Sequence, residues 1–224
     1  MQRLGQIHID DIDFVSLYRP VFRTLAECQE FCQHVESLPP PSQPKIMLHQ
    51  AGRMLWLADQ IEGVAAGRPA FQILFYLVAG ELVAKIVFNF RGEGESRKYV
   101  HRFFEEICSG DRSRLANGFF ELEGRGRRYL SCEEVVDVLY DVRCDVVHEG
   151  RYYDFNMRRT GHPMRTHRVL AKRQPISSQS CSVPAWPVNL RTELSASELR
   201  EIVLRGVVTA TRKLLSTPRL DAPL

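Results

Sequence analysis

A chain of 224 residues with 44% hydrophobic and 25% charged side chains can bury one good core, with at most a small appendage. Its formal net charge of +3 excludes a protein that binds polyanions over its whole surface, so any nucleic-acid argument rests on local charge. Six cysteines with no C-x-x-C pair exclude a disulfide framework, and Cys28 and Cys32, one helical turn apart, suit neither zinc nor a relaxed disulfide, so reduced core thiols are expected.

The opening MQRLGQIHID lacks the basic end and apolar run of a secretion signal, which makes the cytoplasm the expected compartment. Pro20 suits the first turn of a helix whose face is Val21, Phe22, Leu25, Cys28, Cys32 and Val35. Pro39, Pro40, Pro41 and Pro44 then force an extended linker. Residues 1–44 therefore read as an N-terminal helix and Pro-rich linker, 45–217 as the main helical body, and 218–224 as a frayed tail. A second helix is expected over 45–62, with Met47, Leu48, Ala51, Met54, Leu55, Ala58 and Ile61 facing inward.

Residues 71–90 are the most apolar stretch, and their polar members Glu81, Lys85 and Asn89 fall four apart on one line. Such a helix is buried on every other side. Each of Glu81 and Lys85 at a bilayer centre costs about 2.5 to 3.5 kcal/mol, which argues against a membrane span and for a central bundle helix with an i,i+4 ion pair.

Residues 91–95 form a turn without a phosphate-loop signature. A helix over 98–109 packs Tyr99, Val100, Phe103, Phe104 and Ile107 inward, closed by Gly110, with His101 at its boundary. The helical period then disappears, and Phe119–Leu122 and Arg127–Leu130 flank a glycine turn in a short hairpin with Arg125, Arg127 and Arg128 at its basic tip.

Ser131 with Glu134 three residues on is a capping box, Val135, Val138, Leu139, Val142 and Val146 form one stripe, and Gly150 suits the left-handed residue past the end. After this helix, 151–173 holds six Arg and one Lys against Asp154 alone. Arg151, Tyr152, Tyr153, Arg158, Arg159, Arg165 and Arg168 supply the guanidinium groups and stacking rings that a single-stranded RNA surface needs. A solvated loop with its tyrosines packed on the bundle is the equal alternative. His162 and His167 have no acidic or thiol companions, so no metal or other cofactor is expected. Residues 174–187 read as an irregular strap, and a second capping box, Ser195 and Glu198, opens the last helix through Leu199, Ile202, Val203, Val207, Ala210 and Leu214. The fold class is all-α, a bundle of about five to seven helices with a short β-hairpin near 119–130.

Arg143 and His148 lie near the C-terminal end of the helix over 131–149. Five steps of about 100° leave their side chains roughly 140° apart on a regular helix. They meet at one cleft only if the helix loosens at His148 or two copies of it converge across a dimer axis. Without such a meeting, Arg143 covers a helix seam and His148 complements the helix dipole.

Arg, four residues, then His and a following Gly resemble the R-x4-6-H motif of the HEPN superfamily, and YDVRCDVVHEG is most similar to its ApeA-like branch. The resemblance implies a dimeric helical bundle and a metal-independent endoribonuclease of the toxin and defence kind, with RNA and an antitoxin or defence-system protein as partners. Arg143 and His148 are then the catalytic pair, with Cys144, Asp145, Asp141 and Glu81 as supporting residues. Asp145 and Asp141, one and two turns back, are placed to orient His148. Cys144 stands where active members carry Asn, Asp or His, and Gly150 where an R-x4-H-x-Y motif has Tyr. The alternative is a non-catalytic HEPN module that dimerises or senses a nucleotide or RNA for a partner.

Overall fold

A computed structural model describes residues 12–61, 68–90, 92–123, 126–150, 155, 157, 166–169 and 188–216. The N-terminal part is built differently from the single helix expected there. Asp13 caps α1 (Phe14–Tyr18), accepting from the Ser16 N–H at 3.1 Å, and Pro20 sits in a 3-10 turn, Arg19–Val21. Phe22 is extended, and the next helix, α2 (Leu25–Glu36), starts afresh at Thr24, whose hydroxyl accepts from the Glu27 N–H. The T-x-x-E pattern outweighs Pro20 as a start signal, and Leu25 is left half-exposed.

Pro44 lies in the first turn of α3 (Gln43–Gln60), where its missing N–H costs nothing. The apolar run becomes α4 (Arg68–Val87), which packs against α3, α5, α7 and α8 at the centre of the bundle. Among the described residues Pro69–Val87 is the one stretch long and apolar enough to cross a membrane; half of it is buried inside the protein. Tyr18, Phe22, Cys28 and Val35 belong to the same apolar cluster as α4, and the Tyr18 hydroxyl donates to the Leu48 carbonyl at 2.9 Å.

The helix α5 (Ser96–Glu106) ends earlier than expected, in extended backbone at Ile107 and Cys108. Gly110 does not close it, because it lies inside a further helix, α6 (Ser109–Asn117). That polar segment has no apolar period. It is fixed instead by buried Leu115 and by Asp111, whose carboxylate accepts two bonds from Arg205, at 2.7 and 2.8 Å. At the crossing of α4, α5 and α8 (Ala196–Ser216), the Phe103 ring presses on the backbone of Gly80 and Gly206.

The expected hairpin is present as β1 (Phe119–Glu123) and β2 (Gly126–Tyr129). It is half of a four-stranded antiparallel sheet, β2-β1-β4-β3, completed by β3 (Thr166–Val169) and β4 (Val188–Thr192). Part of the segment expected as a basic loop is thus strand, because its four residues are too short to show a period of two. The sheet hands the chain to α7 (Cys132–Glu149), whose capping box forms as expected, with the Ser131 hydroxyl accepting from the Glu134 N–H and the Glu134 carboxylate from the Ser131 N–H.

Candidate functional site

The helix α7 is regular through Glu149 and ends at Gly150, φ 62°, whose N–H bonds the Asp145 carbonyl. It does not loosen at His148, so within one subunit Arg143 and His148 keep different faces. Arg143 is partly buried, 18% exposed, and turns toward α4, while His148 is exposed.

Arg143 meets α4 at Glu81. Its Nη2 stands 3.9 Å from Glu81 Oε2, and its Nη1 donates to the Tyr140 hydroxyl over a long 3.4 Å. The guanidinium also lies over the Tyr140 ring, 5.2 Å from the centroid. Glu81 is held far more tightly: Lys85 Nζ lies 2.7 Å from its Oε1, and Ser96 at the start of α5 donates to the same oxygen at 2.7 Å. The i,i+4 pair expected on α4 is therefore present, and Glu81 adjoins Arg143.

Beside this contact runs a network that the sequence did not reveal. Arg97 of α5 donates to Asp137 at 2.7 Å and to Asp141 at 2.5 Å, and its guanidinium covers the Tyr140 ring at 4.7 Å. His101, one turn on, meets the same Asp137 oxygen at 2.9 Å. Burial pushes the Asp137 carboxyl up, but His101 and Arg97 outweigh it and hold the group below its usual value. Burial wins at Asp141, which is raised despite Arg97, with Asp137 and Asp145 adding to the rise. Tyr140 is raised by burial, against the Arg143 charge.

Asp141 is thus engaged by Arg97 on α5. Cys144 and Asp145 are partly buried, with Cys144 a free thiol. Arg151, Tyr152, Tyr153, Arg158, Arg159 and Arg165 lie outside the described residues; Arg168 lies in β3, opposite Asn189. Among the described residues no three His, Cys, Asp or Glu side chains are grouped to hold a metal ion. The pattern that marks the network is Arg97 and His101 four apart on one helix facing Asp137 and Asp141 four apart on another.

No family model, curated protein or solved structure matches this chain.

Proposed function

We propose that the protein is a metal-independent endoribonuclease of the HEPN type, active as a homodimer on single-stranded or loop RNA. The observation that carries this reading is the state of Arg143: a largely sheltered guanidinium in the motif helix, whose contacts among the described residues are long ones to Glu81 and Tyr140. An arginine kept for structure resembles Arg97, doubly bonded to two carboxylates. Arg143 retains donors for a phosphate.

The chemistry needs no group beyond the chain and its substrate. An imidazole removes the proton from the RNA 2′-hydroxyl, the 2′-oxygen attacks the adjacent phosphorus, and the 5′-oxygen leaves with a proton from a second imidazole. The products are a 2′,3′-cyclic phosphate and a 5′-hydroxyl end. Arg143 stabilises the charge on the phosphate oxygens at the crowded intermediate. His148 is the base in one subunit and the acid in the other. The straight course of α7 favours this two-subunit arrangement over one in which a single helix supplies both groups. The expected setting is the cytoplasm, as a toxin or defence effector answering to an antitoxin or another partner protein.

Two observations favour a second reading, a non-catalytic module that dimerises or senses a nucleotide or RNA. Cys144 fills the polar place after Arg143, and Asp141, a candidate to orient His148, is committed to Arg97.

The experiment is incubation of the purified protein with mixed RNA in excess EDTA, beside Arg143→Ala and His148→Ala. Cleavage by the parent and loss in both variants supports the ribonuclease. An inert parent that still dimerises selects the second reading.

A further inference from the structure

The sheet has two unlike faces. Residues directly opposite in antiparallel pairs point the same way, so Tyr129, Phe120 and Arg191, which stand opposite one another across β2, β1 and β4, share one face. Arg127, two along from Tyr129, joins them. The other face carries Phe119, Leu190 and Thr192, all buried against the helices. It also carries Arg128, which bonds Glu121 at 2.7 Å and Glu134 of α7 at 3.0 Å. Arg128 therefore fastens the sheet to the bundle, while Arg127 points away from it.

At the β2 edge the outward face is open. Arg127 and Tyr129 are 47% and 46% exposed. The Arg127 guanidinium lies 4.7 Å from the centroid of the Phe120 ring, and Phe120 in turn lies 5.6 Å from Tyr129, so both exposed side chains rest on one buried aromatic. Arg127 is ion-paired to Glu193 at 2.9 Å, but the side chains are 47% and 35% exposed and such a solvent-reached pair exchanges readily for another anion. Arg191 Nε is buried with no hydrogen-bond partner.

We propose that this face, at its β2 edge, binds single-stranded RNA, with Tyr129 stacking on an unpaired base and Arg127 and Arg191 contacting phosphates. A ring free to stack beside guanidinium groups matches a strand whose bases are not paired, and the two cations match its charge. The choice of RNA over DNA rests on the ribonuclease reading; the single-stranded site does not. From Ser131, at the end of the hairpin, to Arg143 the helix rises about 18 Å, so a strand held at the sheet can run along α7 toward the candidate cleft.

The test is fluorescence anisotropy with a labelled oligouridylate of about 12 nucleotides, its DNA counterpart and a blunt RNA duplex. The full chain carrying His148→Ala is used so that the probe stays whole. Tyr129→Leu and Arg127→Ala are each expected to weaken binding about tenfold, with Tyr129→Phe binding like the parent. Arg127→Ala is also expected to reduce the slope of log affinity against log salt by about 0.7. The proposal is overturned if both variants bind like the parent with unchanged circular dichroism, if the parent binds no oligouridylate, or if it prefers the duplex. Preference for DNA overturns the choice of RNA. Binding by the unsubstituted chain with no cleavage sinks the ribonuclease reading and leaves the binding face standing.

Discussion

Arg143 reaches Glu81 only at 3.9 Å, whereas Glu81 is gripped at 2.7 Å by both Lys85 and Ser96. The two residues therefore differ in what their loss costs. Arg143→Ala is expected to cost less than about 1 kcal/mol in urea unfolding while abolishing RNA cleavage. Glu81→Ala, which leaves Lys85 and Ser96 without their acceptor at a site 11% exposed, is expected to cost about 1 to 3 kcal/mol. Equal losses of stability in the two variants would place Arg143 among the structural arginines.

Arg97 provides the contrast. Its removal strands Asp137 and Asp141, so Arg97→Ala is expected to lower stability by about 1 to 2 kcal/mol, a range that allows for the guanidinium being 41% exposed. Arg97→Lys, which cannot bridge two carboxylates with one fork, recovers at most half of that. A variant as stable as the parent would show the network to be passive.

The two aspartates respond oppositely to acid. Asp137 is held below its ordinary value, so its stabilisation is present above the usual carboxylate pKa of about 3.9 and is lost as the pH falls through the folded value. Asp141 is raised, so its contribution is present at low pH and fades as the pH rises through the folded value. Stability of the parent minus that of Asp137→Asn is expected to shrink between pH 7 and 3, and the difference for Asp141→Asn to grow. Slopes of the same sign would contradict the assignment.

A Cβ placed on Gly206 would lie 2.5 Å from Phe103 Cζ, and one on Gly80 would lie 2.8 Å from Phe103 Cδ1, so the ring is pressed from both α8 and α4. Gly206→Ala is expected to cost about 1 to 3 kcal/mol, a fall in Tm of roughly 3 to 10 °C. Phe103→Leu in the same chain is expected to be less harmful than in the parent, which a double-mutant cycle measures.

The sequence discloses elements whose signals are local. Ser131, Glu134 and Gly150 delimit α7, Ser195 and Glu198 open α8, and the spacing of Glu81 and Lys85 gives their ion pair. It conceals what depends on a distant partner. The helix α6 has no apolar period and is fixed by bonds that Arg205 donates to Asp111, and β3 and β4 are too short to show alternation. At the site, the i,i+4 spacings of Arg97 with His101 and of Asp137 with Asp141 are plain, but which helices face each other is not. Asp141 thus reads as a neighbour of His148 when its partner comes from α5.

The position of β4 sets an order of events during synthesis. Phe119 of β1 pairs with Thr192 of β4, a strand that emerges from the ribosome roughly 4 to 15 s later at ordinary elongation rates. Until then the nascent hairpin offers an unpaired edge, and β3 has no neighbour to join. A translational pause before residue 188 prolongs that interval, so the chain's exposure to self-association in the cell is governed by the timing of its last strand.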